Sequence, residues 1–202
     1  MGLERLHVDI MDDVLVRNFG FTADVVGRIR SCSSLFIDVH LMAHDFENAA
    51  RELFSQGASR VIVHLEASGF EEAFESLRSL DKPLGLGIMP SSPVELDSEH
   101  ARAANCMLLF GVNPGQRGQS LLPSTLPRLQ ALRSLLNENE LNYSIIIDGG
   151  VTLDSLAPLV AAGARDLVVG SALYGASAEA TSPQRNLEAL YRRIADACTP
   201  AA

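Results

Sequence analysis

The chain has 202 residues with 16 basic and 25 acidic side chains, so its formal net charge is −9, and 47% of its residues are hydrophobic. This composition excludes a disordered acidic tail and is sufficient for one substantial core. The acidic balance, with no run of Lys or Arg, argues against nucleic acid or an anionic membrane as a partner. We therefore expect a single domain over residues 1–202 that binds a small molecule.

The N-terminal segment and the cysteines predict a cytoplasmic protein. Glu4, Asp9 and Asp12 stand where a signal peptide needs a basic region and an apolar run, and no apolar window is long enough to span a membrane. The three cysteines are widely spaced and form no CxxC motif. This spacing is typical of a reduced cytosolic chain rather than a disulfide scaffold or a zinc knuckle.

Seven short segments rich in Val, Ile and Leu alternate with stretches whose apolar residues recur every three or four positions. The first pattern predicts buried strands and the second predicts amphipathic helices, for example over 46–58 and 126–139. Because parallel neighbours need a crossover connection, this alternation predicts a parallel α/β sheet. The predicted strands cover residues 5–11, 35–42, 60–67, 84–89, 106–112, 143–148 and 166–173.

Polar residues near the carboxyl ends of these strands distinguish between a doubly wound sheet and a barrel. In a (β/α)8 TIM-type barrel, groups from several strand ends converge on one mouth. No GxGxxG motif opens the first helix, although a dinucleotide-binding sheet would use one. The pattern therefore favours the TIM-type barrel. The polar strand-end residues are His7, Asp9, Asp38, His40, His64, Glu66, Asn113, Asp148, Gly170 and Ser171.

The first two strands carry the strongest candidate site, because each has a His and an Asp two positions apart. A strand has a period of two, so the residues of each pair share one face. One face carries His7, Asp9 and Met11, and the other carries Asp38, His40 and Met42. Together with Asp148, two imidazoles and the carboxylates make a site for zinc, iron(II) or manganese possible.

Two glycine-containing regions are candidates for anion binding. The loop at 112–120 contains Gly115 and Gly118, and its exposed backbone N–H groups could hold an anion or close over a ligand. The ends of the last two strands carry small residues where many barrels bind phosphate through backbone amides. The alternatives are an ordinary surface loop and tight strand-to-helix turns. The small residues at the strand ends are Gly149, Gly150, Gly170 and Ser171.

Read in order, a series of motifs from about Leu6 to Tyr174 resembles the ribulose-phosphate 3-epimerase family. The motifs are LHVDIMDD, DVHLM, HLEA, MPSSPVE, VNPGQRGQ, IDGGV and AGARDLVVGSALY. The resemblance implies a metal-dependent (β/α)8 barrel isomerase of the pentose phosphate pathway. It implies that one divalent ion, zinc, iron(II), manganese or cobalt, is bound by His7, Asp9, His40 and Asp148, and that the two aspartates are the catalytic acid and base.

The resemblance also assigns the residues around the substrate, a small-molecule sugar phosphate. His40, Gly149, Gly150, Gly170 and Ser171 match substrate and phosphate positions. The loop around Gly115 and Gly118 matches a moving cover, and Met11 and Met42 match sulfur-bearing positions beside the reaction intermediate.

The expected activity is inversion of C3 of a ketose phosphate, from D-ribulose 5-phosphate to D-xylulose 5-phosphate. This reaction removes the proton alpha to a carbonyl and returns one on the opposite face, which two carboxylates on either side of the substrate can do. One alternative is another ketose phosphate, such as allulose 6-phosphate, because the loops differ from the family pattern. Another is a catalytically weak paralogue that binds a sugar phosphate or a protein.

Family members begin with a strand and helix that this chain lacks, so we expect seven rather than eight strand–helix units. An eight-stranded barrel that loses one strand has two unpaired edges or must change its tilt and stagger. The given start could be mis-set or truncated, the two edges could pair directly in an imperfect closure, or a neighbouring chain could fill the gap in a homo-oligomer.

Overall fold

Seven strands and eight helices lie in the part of the chain that the structure, a computed structural model, describes: residues 3–115, 118–174 and 182–198. No helix within these residues has both the length and the apolar character needed to cross a bilayer. The strands are β1 (Arg5–Met11), β2 (Phe36–Met42), β3 (Arg60–His64), β4 (Leu84–Ile88), β5 (Cys106–Phe110), β6 (Ser144–Asp148) and β7 (Asp166–Val168). The helices are α1 (Ala23–Cys32), α2 (Phe46–Ser55), α3 (Phe70–Arg78), α4 (Ser98–Ala103), α5 (Thr125–Glu138), α6 (Leu153–Ala161), α7 (Ser171–Tyr174) and α8 (Pro183–Cys198).

The strands form one sheet in their sequence order, β1 to β7. The neighbours β1–β2, β2–β3, β3–β4 and β6–β7 pair in parallel. A helix lies between successive strands and provides the crossover that a parallel neighbour requires. The predicted fold class is confirmed: this is a parallel α/β fold of TIM type with seven strand–helix units.

The register of β1 against β2 brings the two His–Asp segments side by side. His7 is the pairing partner of Asp38, and Asp9 is the pairing partner of His40. Because side chains alternate between the two faces of a strand, all four lie on the same face of the sheet. The following strand continues the pattern, with Arg60 opposite Asp38.

The chain comprises two compact units, the first formed by Met1–Met89 and Asp97–Met107 and the second by Pro90–Leu96 and Leu108–Ala202. In the first unit, β3 and β4 are buried along their whole length. Helix α2 buries Phe46, Ala50 and Leu53 at helical spacing, and α3 buries Phe70 and Phe74 in the same way. The apolar faces of these helices and the strands form the core of this unit. The prediction of a single domain over 1–202 stays a prediction.

The second unit is built on the same principle. Helix α5 buries Leu129, Leu132 and Leu136, and β6 buries its three central isoleucines. Helix α6 begins with a capping box, in which the Thr152 side chain accepts the backbone N–H of Ser155 and the Ser155 hydroxyl accepts the backbone N–H of Thr152. The two bonds satisfy backbone donors that a helix start leaves without intrahelical partners.

The bounds predicted for the last strand were wrong. The apolar pattern predicted a strand over 166–173, but β7 ends at Val168 and a helical turn begins at Ser171. The carbonyl of Gly170 accepts the backbone N–H groups of Leu173 and Tyr174, so the chain turns into a helix immediately after the short strand. A short apolar run does not distinguish a strand from a buried helical turn, which explains the error.

Candidate metal centre

The structure brings together three of the predicted ligands within the first unit. His7 Nε2 lies 3.5 Å from Asp9 Oδ1, and His40 Nδ1 lies 3.6 Å from the same oxygen. The ligand atoms of these residues lie within 4.8 Å of one another. Asp9 Oδ1 and His7 Nε2 are both buried atoms, and the His40 side chain is 0% exposed. The cluster therefore places two imidazole nitrogens and one carboxylate oxygen around a common point.

This donor set suits a divalent transition metal. Imidazole nitrogens bind zinc, iron and similar ions, and a carboxylate oxygen adds a negatively charged ligand. Half of the Asp9 side chain remains accessible, at 45% exposure, although its Oδ1 is buried. The His/Asp cluster could therefore hold a metal ion and still present part of the Asp9 carboxyl group to a small molecule.

The second nitrogen of His7 faces a buried ion pair. His7 Nδ1 lies 3.8 Å from Asp38 Oδ2. Asp38 in turn accepts two hydrogen bonds from the Arg60 guanidinium, from Nε at 2.8 Å and from Nη2 at 2.6 Å. Burial acts to raise the pKa of the Asp38 carboxyl, but the bonds and charges of Arg60 and His7 outweigh burial and hold this pKa well below its ordinary value. Asp38 is therefore an anion that orients His7.

The second nitrogen of His40 faces another histidine. His40 Nε2 and His64 Nε2 are 2.8 Å apart, and both side chains are completely buried. His64 Nδ1 lies 3.4 Å from Glu66 Oε2, and Glu66 Oε1 accepts the backbone N–H of Met89 at 2.8 Å. A connected set of polar groups thus runs from the predicted ligand His40 to the turn after β4.

Sequence reasoning missed the roles of three of these residues. His64 and Glu66 were recognised as strand-end polar residues, but nothing linked them to His40. Arg60 was not singled out, although a basic residue at the first position of a buried strand is a signal for a buried ion pair. Asp38 was predicted on the correct face, and its partner depends on the register of β3.

The methionines predicted beside the reaction lie on β1 and β2. Met11 and Met42 are pairing partners at the ends of the two strands. Met42 is buried, whereas Met11 is partly exposed. Their position beside a substrate stays a prediction, and Met42 also fills the core, as the alternative interpretation of a methionine expects.

The other predicted site residues belong to the second unit. Asp148 is the last residue of β6 and is half-buried. Gly149 and Gly150 follow it with φ values of 90° and 70°, and a Cβ on Gly150 would lie 2.8 Å from the backbone of Leu121. These two glycines are therefore needed for a tight turn whether or not an anion binds there.

Gly170 and Ser171 stand at the junction of β7 and α7. Among the residues that the structure describes, none has an atom within 4 Å of a Cβ placed on Gly170. Gly115 and Gly118 both have positive φ, at 98° and 77°, which fits a glycine-rich loop. The two residues between them, 116 and 117, lie outside the described part of the chain.

Comparison with known proteins identifies the family. The model of the ribulose-phosphate 3 epimerase family matches residues 1–174. The chain belongs to the ribulose-phosphate 3-epimerase family. It is 33% identical to ribulose-phosphate 3-epimerase of Synechocystis over 92% of this chain and 83% of that protein. It is also 33% identical to the chloroplastic ribulose-5-phosphate-3-epimerase of Arabidopsis thaliana, over 87% of this chain and 63% of that longer protein.

The solved structures agree with this assignment at the level of fold. Phosphoribosyl anthranilate isomerase from Thermus thermophilus aligns with 96% of this chain and 89% of its own, with a TM-score of 0.66 and 18% identity. The predicted family is confirmed, and its relatives' names confirm the predicted enzyme class, an epimerase-type isomerase. The His7, Asp9 and His40 cluster described above could hold a divalent ion, as the resemblance predicted.

Proposed function

We propose that this chain is a metal-dependent epimerase that inverts C3 of D-ribulose 5-phosphate to give D-xylulose 5-phosphate, a reaction of the pentose phosphate pathway. The observation that carries the proposal is the close grouping of His7, Asp9 and His40, with His7 Nε2 and His40 Nδ1 both near Asp9 Oδ1, in a chain of this family. A partly buried cluster of this composition suits a divalent cation and the anionic oxygens of a ketose as it enolises.

His7, Asp9 and His40 would hold the ion, and Asp148 at the end of β6 would be the fourth ligand. The donor set fits zinc, iron(II), manganese or cobalt. When bound, the ion supplies Lewis-acid stabilisation of the negative charge that develops on the ketose oxygens. The fit is supported by the burial of His7 Nε2 and Asp9 Oδ1, since both atoms point away from solvent and toward their cluster.

Asp9 and Asp148 would be the catalytic acid and base. Asp9 Oδ1 is turned toward the two histidines, so its other oxygen, Oδ2, is the atom proposed to exchange the C3 proton. The 45% exposure of the Asp9 side chain gives a substrate access to this carboxyl group. Asp148 would exchange a proton with C3 on the opposite face. Because the proton is then removed from one face and returned to the other, the configuration at C3 inverts.

Backbone amides are the proposed phosphate ligands. Gly149, Gly150, Gly170 and Ser171 follow the last two strands, and the chain contains only one lysine, so capture by main-chain N–H groups suits its composition. His40 would also contact the substrate, and Met11 and Met42 would line the pocket. The loop containing Gly115 and Gly118 would cover the bound sugar.

The composition supports the remaining proposals about partners and location. With a net charge of −9, the chain is suited to a small-molecule sugar phosphate rather than to nucleic acid or a membrane surface. We further propose a cytoplasmic enzyme that can form homo-oligomers.

A coupled assay of D-xylulose 5-phosphate formation tests the function. Protein stripped with a chelator should be inactive, and reconstitution with one of the four candidate metals should restore turnover. Asp9→Asn should lower kcat by about 100-fold or more, because general acid–base transfer contributes roughly 10²–10⁴ in rate. Asp24→Asn, an exposed carboxylate on α1, is the matched control and should retain activity.

The outcomes separate the alternative functions. Turnover of allulose 6-phosphate but not of ribulose 5-phosphate would change the substrate and leave the mechanism in place. Sugar-phosphate binding without turnover in any metal-loaded sample would instead show a catalytically weak paralogue and contradict the proposal.

A further inference from the structure

We propose that His64 is a positioning residue for the metal centre: it accepts the Nε2 proton of His40 and thereby keeps His40 Nδ1 free of a proton and directed toward Asp9. Glu66 supports this role, because its carboxylate favours the His64 tautomer that carries the proton on Nδ1. This inference rests on the proposed function, because it concerns how His40 is presented to an ion.

The geometry requires a shared proton between the two rings. His40 Nε2 and His64 Nε2 are 2.8 Å apart, with both side chains fully buried. Their ring centroids are 5.1 Å apart and their planes are inclined by 29°, so the rings meet edge to edge in nearly one plane. At this distance one nitrogen must donate and the other must accept, because two lone pairs or two protons would repel.

The surrounding groups select the direction of that hydrogen bond. His40 Nδ1 faces Asp9 Oδ1 at 3.6 Å, on the side of the ligand cluster, and a ligand nitrogen must be unprotonated. The neutral His40 ring therefore carries its proton on Nε2 and donates it to His64 Nε2. His64 then carries its own proton on Nδ1, which faces Glu66 Oε2 at 3.4 Å.

A hydrogen bond in the opposite direction, from His64 to His40, is unfavourable at both rings. If His64 Nε2 donated, the neutral His40 ring would place its proton on Nδ1, the nitrogen that faces the cluster. In a neutral His64 ring, Nδ1 would then direct a lone pair at the Glu66 carboxylate, which is unfavourable. Glu66 is itself fixed, because its Oε1 accepts the backbone N–H of Met89 at 2.8 Å. The observed arrangement thus supports one set of proton positions, with a proton on His64 Nδ1 facing Glu66 and a proton on His40 Nε2 facing His64.

The backbone of β4 restricts the position of the His64 ring. A Cβ on Gly87 would lie 2.7 Å from His64 Cε1 and 2.9 Å from His64 Nε2, so only glycine allows the ring to lie this close to the strand. The backbone N–H of Leu65 bonds to the Gly87 carbonyl at 3.1 Å, which ties the end of β3 to the same residue. His64 is therefore held between Gly87 and His40.

The two predicted ligand histidines are supported by different chemistry. His7 Nδ1 faces the carboxylate of Asp38, which Arg60 neutralises, whereas His40 Nε2 faces the imidazole ring of His64. Such partners orient metal-binding imidazoles, and their removal typically weakens metal affinity by about 10- to 100-fold. His64 should have an effect of this size without contacting the ion.

The test measures cobalt(II) binding by chelator competition, together with the visible absorption bands of the bound ion. His64→Leu removes the acceptor and should weaken cobalt binding by about 10- to 100-fold and alter the bands. His64→Gln can place a carbonyl oxygen near the position of Nε2 and should restore affinity to within a few-fold of the parent. His100→Leu is the matched control, since it removes another mostly buried histidine of the first unit, and it should bind cobalt like the parent.

The outcomes separate this inference from the proposed function. If the parent does not bind cobalt, zinc, iron(II) or manganese, the proposed function fails. If the parent binds cobalt and folded His64→Leu binds it equally well, or if the Gln and Leu variants lose affinity equally, the positioning role is wrong and the proposed function stands. If circular dichroism shows that His64→Leu does not fold, the test uses His64→Gln and Glu66→Gln instead. Parent-like cobalt affinity in His64→Gln together with altered cobalt bands in Glu66→Gln supports the inference. Any other combination of results overturns it.

Discussion

Asp38 and Arg60 form a bidentate ion pair in the interior of the first unit. Arg60 Nε donates to Asp38 Oδ1 at 2.8 Å, and Arg60 Nη2 donates to Asp38 Oδ2 at 2.6 Å. Their side chains are only 7% and 5% exposed. Because the pair spans β2 and β3 directly behind His7, it links the stability of the sheet to the orientation of a predicted metal ligand.

Removing one partner of this pair should destabilise the protein strongly. Arg60→Met leaves the Asp38 carboxylate buried without its main counter-charge, which typically costs about 3–5 kcal/mol in the free energy of unfolding. Urea denaturation measures the loss. Arg51→Met breaks a partly exposed pair with Glu47 and should cost far less stability than Arg60→Met.

A double variant, Asp38→Leu with Arg60→Met, should regain much of the stability lost in Arg60→Met, since no unpaired charge remains in the interior. A double variant less stable than Arg60→Met alone would contradict this account.

Metal binding should stabilise the folded protein. An ion that binds only the folded state at a free concentration 100 times its Kd raises the free energy of unfolding by about 2.7 kcal/mol. Differential scanning calorimetry should therefore show a higher Tm for metal-loaded protein than for protein in a chelator. His40→Ala removes a ligand nitrogen and should abolish the difference, whereas Asp24→Asn should preserve it.

Enlarging Gly87 should affect the metal centre through His64. The added methyl group of Gly87→Ala meets the His64 ring at 2.7 Å, so we expect about 1–3 kcal/mol of destabilisation and weaker cobalt binding. Gly85→Ala, in the same strand, meets Cys106 Sγ at 2.5 Å and Ile62 at 2.8 Å instead. It should lose comparable stability in urea and keep the cobalt affinity, and equal loss of affinity in both variants would argue against a specific effect on His64.

Helix α4 should become less stable in acid because of its N-cap. The Asp97 side chain accepts the backbone N–H groups of Glu99 and His100, and these bonds lower the pKa of its carboxyl group. A carboxyl group whose pKa is lower in the folded state contributes stability above its unfolded pKa, about 3.9, and loses that contribution as the pH falls through the folded value.

The matched variant for this prediction is Asp97→Asn, which can still cap the helix but does not titrate. Its free energy of unfolding, measured in urea between neutral pH and about pH 3, should fall less steeply than that of the parent below about pH 4. Identical slopes in the two proteins would show that this cap does not contribute to the acid sensitivity.

The sequence by itself determined the alternation of strands and helices and the face that the residues of each His–Asp pair share. Both follow from local rules: apolar runs of strand length predict buried strands, and the period of two puts His7 and Asp9 on one face. Motif order from Leu6 to Tyr174 was sufficient to recognise the family, because those motifs carry the strand-end residues.

Only the tertiary structure decided what lies behind the ligands. The pair of Asp38 with Arg60 depends on the register of β2 against β3, and the contact of His40 with His64 bridges 24 residues of sequence. The length of β7 also could not be predicted from the sequence pattern, since an apolar run fits a strand and a helical turn equally well. Periodicity specifies which face of a strand a side chain occupies, whereas the partner of a buried polar group is fixed by pairing between strands that are distant in sequence.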